Sequence, residues 1–133
     1  MVPIDHSRLH ARDWKGVPED YLKIDNFLDQ TKFHFTSWQH RLFLHNPLGI
    51  KLCEDFFGST ITNSDGIEVP VRELARRHIM QDLGRVPTLQ DWVEGMTTGK
   101  VEKWMNNPNK RDLQFLKENY YEKTGKTNKT DKN

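Results

Sequence analysis

The sequence has one cysteine, Cys53, so it cannot form a disulfide within the chain and carries no mark of an oxidising compartment. It also has no apolar run near the roughly 20 residues that a membrane-spanning helix needs. Its first residues contain neither the basic nor the apolar segment of a signal peptide. These absences predict a soluble cytoplasmic protein that does not associate with a membrane, in which Cys53 is a small core residue.

The sequence has no large excess of charge of either sign, because it contains 20 basic and 19 acidic residues and its formal net charge is +1. Phosphate neutralisation supplies much of the affinity of a nucleic-acid-binding protein, so this balance makes nucleic acid an unfavoured partner. The sequence also lacks a glycine-rich phosphate loop, a GxSxG elbow, an HExxH motif and a paired CxxC. No local motif therefore identifies a reaction.

What the chain does contain is enough apolar surface for one domain. It has 133 residues, of which 35% are hydrophobic, and four tryptophans. Residues 1–121 are predicted to form a single, mainly α domain, a small helical bundle with one short β-hairpin at about residues 59–69. Residues 122–133 contain no apolar side chain and are predicted to be a disordered polar tail.

The spacing of apolar residues predicts the elements of this domain. Intervals of three and four residues indicate one long helix over residues 25–45. Shorter helices are predicted over residues 5–13, 48–57, 70–83, 88–95, 99–106 and 112–121. The turn sequence Asn63-Ser64-Asp65-Gly66 separates two β-prone runs and predicts the hairpin.

Histidines on the apolar faces of these helices are the one functional signal above background. His6 and His10 are four residues apart, as are His78 and Asp82, so each pair shares one helix face. A buried carboxylate is costly unless it is paired or bound to a metal, and neutral imidazole is the commonest metal ligand. Hydrogen-bonded core histidines are the alternative explanation of the same pattern.

His40 and His45 present a difficulty for a shared site. Both fall within the predicted long helix, where residues five apart point about 140° away from each other. They cannot both face one ion unless that helix is distorted.

Four segments, in the same order, resemble a small bacterial and bacteriophage family of unknown function over about residues 3–93. They are WKGVPEDY (14–21), HRLFLH (40–45), TITNSDG (60–66) and RHIMQDLGRVPTLQDW (77–92). The resemblance implies no activity, but it implies that the family's histidine positions are His6, His40, His45 and His78, with Asp82 beside them. Val2 departs from it, because the resemblance implies histidine there; if that histidine is a ligand, the site here is incomplete or is closed by His10 or Asp5.

The first functional hypothesis is a divalent-metal centre in which zinc, iron or manganese is bound by His6, His40, His45 and His78. If this centre is a metal-dependent hydrolase, Asp82 is a further ligand or an orienting carboxylate. Glu54 is then the candidate catalytic base.

Two hypotheses of other classes remain open. The chain can be a metal-free factor that binds a protein of a phage or its host through a surface around Trp92 and Trp104, in which case these residues lie on an exposed apolar patch. A nucleic-acid-binding module is the third hypothesis, and it requires binding that weakens steeply with salt.

Overall fold

The computed structural model describes residues 1–35, 37–97 and 102–121, and the polar tail predicted at 122–133 lies outside these ranges. The described part of the chain forms six α-helices and one antiparallel β-hairpin in a small single domain. The predicted fold class is therefore confirmed. The elements are α1 (Pro3–Trp14), α2 (Leu22–Leu28), α3 (Pro47–Phe57), β1 (Thr60–Thr62), β2 (Glu68–Pro70), α4 (Val71–Leu83), α5 (Leu89–Thr97) and α6 (Lys110–Leu116).

The residues at the helix termini explain where several helices begin and end. Pro3 and Pro47 each occupy the first turn of a helix, where the missing N–H of proline costs no hydrogen bond. The side chain of Asn46 caps α3 by accepting a hydrogen bond from the backbone N–H of Gly49 at 2.9 Å. Gly84 ends α4 in the left-handed conformation, with φ of +74°.

The prediction of one long helix over residues 25–45 is wrong. Helix α2 ends at Leu28, and short 3₁₀ turns follow at Gln30–Phe33 and Ser37–Leu42. The Thr31 hydroxyl donates a hydrogen bond to the backbone carbonyl of His40 at 2.5 Å. Residues nine apart on a straight helix are separated by about 13.5 Å along its axis, so this bond requires the chain to turn back on itself.

The β-hairpin is found where the sequence predicts it. Ile61 pairs with Val69, and both side chains point into the core. The Asn63 side chain accepts hydrogen bonds from the backbone N–H groups of Asp65 and Ile67, both at 2.9 Å, and so stabilises the turn. The hairpin leads directly into α4, the helix that carries His78.

Towards the C-terminus two of the predicted helices are not α-helical throughout. The described part of the segment predicted as a helix over residues 99–106 contains a 3₁₀ turn at Lys103–Asn106. Helix α6 is followed by a π-helical turn at Lys117–Tyr121.

Helix α4 contributes to two apolar clusters. Leu74 and Ala75 belong to the larger one, which includes residues from α2, α3 and the hairpin. Ile79 and Leu83 belong to a second, with Trp92 and Met105. None of the helices in the described ranges combines the length and apolar character needed to cross a bilayer.

Candidate metal centre

Three helices each bring a pair of polar side chains, four residues apart, into the interior. Side chains at this spacing lie on one face of a helix. All six are at most 5% exposed; they are His6 and His10 from α1, Asp25 and Asp29 from the end of α2, and His78 and Asp82 from α4. Two further buried histidines come from the irregular segment between α2 and α3, namely His40 and His45. We call these eight residues the polar cluster.

The two oxygens of the Asp82 carboxylate have different neighbours. Oδ1 lies 3.5 Å from the N-terminal ammonium of Met1 and 3.3 Å from Arg41 Nη2, whereas Oδ2 faces imidazole nitrogens. The Oδ2 atom lies 3.0 Å from His45 Nε2, 3.3 Å from His6 Nε2 and 3.8 Å from His78 Nε2. Three chain segments therefore present Nε2 atoms to one oxygen.

Asp29 has a similar environment. Its Oδ1 atom lies 3.1 Å from His78 Nε2, 3.5 Å from His45 Nε2 and 3.6 Å from His40 Nε2. Metal–ligand bonds of about 2.0–2.2 Å place adjacent ligand atoms about 2.8–3.6 Å apart and opposite ones about 4.0–4.4 Å apart. The spacing of the donor atoms around both carboxylates thus matches that of a coordination shell.

Four of these residues bring their donor atoms close together at once. Asp29, His45, His78 and Asp82 each offer one donor atom, these atoms all lie within 4.8 Å of one another, and all four residues are buried. This Asp-His-His-Asp group can hold a metal ion. His6 and His40 lie at its edge, in contact with Asp82 and Asp29 respectively.

The imidazole rings are close together. The ring of His6 stacks on that of His78, with centroids 3.6 Å apart and an interplanar angle of 20°. The centroids of His45 and His78 are 5.0 Å apart, and those of His40 and His45 are 5.9 Å apart. The break after α2 makes this possible, because it removes the helical divergence between His40 and His45.

Residues behind the imidazoles orient two of them. His6 Nδ1 lies 2.6 Å from Gln81 Oε1, and His78 Nδ1 lies 2.8 Å from Asp25 Oδ1. These oxygens accept hydrogen bonds, so each Nδ1 carries a proton. A metal ion at His78 Nε2 would replace the proton that the charged form of this ring directs at Asp29. Asp25 is itself held by His10 Nε2 at 3.0 Å and by the Ser7 hydroxyl at 2.7 Å.

The contact between His6 Nε2 and Asp82 Oδ2 bears on whether a cation lies between them. When His6 Nδ1 donates to Gln81, His6 Nε2 presents a lone pair to Asp82 Oδ2, which also carries lone pairs. Among the described residues, His6 Nε2 has no hydrogen-bond partner, although it is fully buried. Two buried acceptors facing each other are costly unless a proton or a metal cation lies between them, and either one satisfies this pair.

The electrostatics of the polar cluster favour ionised carboxylates. Burial raises the pKa of Asp25, Asp29 and Asp82, but the neighbouring imidazoles outweigh burial and hold all three pKa values below the usual range. Burial lowers the pKa of His45 to about 4, so this ring is neutral at pH 7. Burial also disfavours a charge on His78, but the adjacent Asp29 and Asp25 raise its pKa to about 10.

A hydrogen bond to the His45 backbone carbonyl helps to hold the segment that carries this residue. The indole N–H of Trp92 donates to the His45 carbonyl at 3.0 Å. Trp92 is fully buried, and its ring packs edge-on against the half-buried ring of Trp104 with centroids 4.8 Å apart. Trp92 is therefore not on the exposed apolar patch that the protein-binding hypothesis requires, and partner binding through these two tryptophans remains a prediction that this burial does not support.

Arg41 connects the polar cluster to the surface. Its guanidinium contacts Asp82 Oδ1 at 3.3 Å through Nη2 and donates from Nη1 to Asn106 Oδ1 at 3.0 Å and the Met105 carbonyl at 3.3 Å. Arg41 and His40 also line a surface cavity of about 470 Å³. A small molecule in this cavity would lie next to the cluster.

The other candidates from the sequence lie elsewhere. Glu54 is on α3, where it forms a 3.3 Å ion pair with Arg72, and the structure does not bring it to the polar cluster. Val2 is 49% exposed before α1. Asp5 contacts Arg8 and the Tyr121 hydroxyl, whereas His10 does join the cluster through Asp25.

Sequence reasoning missed Asp25 and Asp29. The long-helix prediction placed Asp25 at its start and Asp29 inside it, with no special role for either. One signal could have identified them: their spacing of four repeats that of His6 with His10 and of His78 with Asp82. Three helices with such pairs indicate faces that can meet in one polar interior.

Comparison with known proteins places the chain without giving it an activity. Residues 1–105 match the model of a family described as a domain of unknown function (DUF6915). All eight residues of the polar cluster fall within the matched range. No curated protein and no solved structure matches the chain.

Proposed function

The chain belongs to the DUF6915 family of unknown function, and we propose that it binds one divalent transition-metal ion in the polar cluster. The observation that carries this proposal is the convergence of nitrogen and carboxylate oxygen atoms on one buried point. Asp29, His45, His78 and Asp82 are the central ligands. His6 is a fifth, because its Nε2 is 3.3 Å from Asp82 Oδ2 and its Nδ1 is held by Gln81.

The donor set limits the identity of the metal. Imidazole and carboxylate together suit zinc, iron and manganese, whereas the thiolate ligands that select softer ions are absent from the cluster. Four ligands fit tetrahedral zinc. Five or six ligands would fit the octahedral shell of iron(II) or manganese(II).

Hydrolysis of an ester is the reaction that this arrangement supports best. A divalent ion lowers the pKa of a bound water and polarises the substrate oxygen. The water oxygen bonds to the phosphorus or carbonyl carbon, the bond to the leaving oxygen breaks, and a proton from the water ends on that oxygen. Support for a catalytic rather than a purely structural ion comes from the cavity lined by His40 and Arg41, since it borders one side of the cluster, although none of the four central ligands lines it.

Asp29 is a ligand in this proposal, and its lowered pKa makes it a weak proton acceptor, so the role of base is assigned to none of the described residues. The Oδ1 atom of Asp29 faces the imidazoles, and its Oδ2 has no hydrogen-bond partner among the described residues, with Lys32 Nζ at 3.9 Å. Asp82 serves as a ligand. Glu54 as a base remains a prediction from the sequence that no contact in the structure supports.

Metal analysis of the purified protein tests the proposal. The chain is expressed with supplementary zinc, iron or manganese, and the metal content is measured by mass spectrometry; we expect about one ion per chain. His45→Ala should lose most of it. His34→Ala is the matched control, because His34 is exposed and outside the cluster, and should retain it.

X-ray absorption on the wild-type protein provides a measurement that does not depend on how the variants fold. We expect nitrogen and oxygen scatterers at about 2.0–2.2 Å, including imidazole. The proposal would be refuted by two results together: only trace metal after each supplement, and unchanged thermal stability when these ions are added.

A further inference from the structure

We propose that the surface cavity next to the polar cluster binds an organic phosphate whose other part carries a flat apolar ring. This inference rests on the proposed metal centre, since it names the substrate class of that site. The cavity has a volume of about 470 Å³, within the range of small-molecule sites. It is lined by Met1, Lys32, Phe35, Trp38, His40, Arg41 and Asn106.

The charged groups that line the cavity are positive. Lys32 and Arg41 carry fixed charges there, and none of the described lining residues is an aspartate or a glutamate. The carboxylates of Asp29 and Asp82 lie behind this lining, where a divalent ion would offset them. A metal ion in the neighbouring cluster would therefore make the cavity more attractive to anions, and the two cations of its lining suit a phosphate dianion better than a single carboxylate.

The guanidinium of Arg41 is fixed in position beside the cavity. Its two terminal nitrogens are engaged by Asp82, Asn106 and the Met105 carbonyl, which keeps the guanidinium in one place. Its Nε–H has no acceptor among the described residues but is itself buried, so a ligand oxygen would reach it only if the lining of the cavity shifts. A guanidinium with a remaining donor is a common partner of phosphate oxygens.

Lys32 supplies a more adaptable charge. Its side chain is 36% exposed, and its Nζ lies 3.9 Å from Asp29 Oδ2, too far for a hydrogen bond. The ammonium group can therefore turn toward a phosphate in the cavity without breaking a short contact.

The apolar part of the cavity lining indicates that the group attached to the phosphate is a flat ring. The rings of Phe35 and Trp38 border the same cavity, and Phe35 is 43% exposed. Aromatic side chains beside a cationic group bind a flat ring that carries a negative charge at one end, because ring contacts and ion pairing act together. Inorganic phosphate lacks the first of these contacts and should bind more weakly.

Binding of stable phosphonates tests the inference. Phenylphosphonate, methylphosphonate, benzoate and phenol are titrated into the metal-loaded and the metal-free protein by calorimetry. We expect phenylphosphonate to bind the metal-loaded protein at least tenfold more tightly than methylphosphonate or benzoate, and phenol not to bind. Binding to the metal-free protein should be weaker.

Two variants locate the binding site. Lys32→Gln should weaken phenylphosphonate binding about five- to tenfold with unchanged metal content, whereas Lys51→Gln, which removes an exposed lysine paired with Asp55 on α3, should not. Trp38→Leu should weaken binding of phenylphosphonate but not of methylphosphonate.

The outcomes separate this inference from the proposed function. A wild-type protein that holds no metal overturns the metal centre. If metal is present, phenol or benzoate binding as tightly as phenylphosphonate overturns the phosphate site, as does an unchanged affinity in Lys32→Gln. Equal binding of the two phosphonates overturns the ring contact.

Discussion

Gln81 offers a sharp test of the metal centre, because it touches a proposed ligand without being one. Its side-chain oxygen accepts the hydrogen bond from His6 Nδ1 at 2.6 Å, deep in the interior. Gln81→Met keeps the length of the side chain and removes the acceptor. Loss of such an orienting partner typically weakens metal binding about 10- to 100-fold.

The expected size of the effect follows from linkage. At a metal concentration a thousandfold above the wild-type Kd, binding stabilises the folded protein by about 4.1 kcal/mol. For a domain of this length that corresponds to a rise in Tm of about 16 °C, taking about 4 °C per kcal/mol. With binding weakened 10- to 100-fold, the same concentration gives about 2.7–1.4 kcal/mol, or a rise of about 11–6 °C.

The assay is thermal unfolding followed by circular dichroism, with and without the metal. The metal-free variant also loses stability, because a buried N–H remains without an acceptor; the metal-induced shift, rather than the absolute Tm, is therefore compared. Gln90→Met is the matched control, since Gln90 is exposed on α5 and bonds to Glu94. An identical metal-induced shift in wild-type and Gln81→Met protein would refute the reasoning.

Three further predictions concern the surroundings of the polar cluster. Trp92→Phe removes the hydrogen bond to the His45 carbonyl and should lower the free energy of unfolding by about 1–3 kcal/mol in urea denaturation; an unchanged midpoint contradicts this. Gly49→Ala should yield little folded protein, because the added Cβ would lie 1.8 Å from the Leu44 carbonyl oxygen; folding with native circular dichroism disproves the close approach. Burial raises the pKa of the Cys53 thiol to about 12. A thiol reagent at pH 8 should therefore label Cys53 only after unfolding; rapid labelling of the native protein would contradict its burial in the core.

Much of the fold could be predicted because local signals agree with the tertiary structure. The turn at residues 63–66 identifies the hairpin, and the apolar stripe of Val71, Leu74 and Ala75 identifies α4. The placement of His78 and Asp82 on that stripe also indicates a polar group in the interior. In each case neighbours in sequence carry the information.

The break after α2 could not be predicted in the same way. Residues 25–45 retain helical apolar spacing, although Phe33 is 91% exposed and the chain turns back through the bond between Thr31 and His40. Tertiary contacts override the local pattern here. The role of Asp29 was hidden for the same reason, because it depends on leaving the helix at this residue.

Members of the polar cluster are far apart in the chain, from His6 to Asp82, and this affects its assembly during translation. At 5–20 residues per second, roughly 4–15 s of synthesis separate the first donor from the last. During that time α1 and α2 present their imidazoles and carboxylates without the opposing groups of α4. A ribosome that stalls before His78 would therefore leave the nascent chain without either of the two cluster residues that α4 supplies.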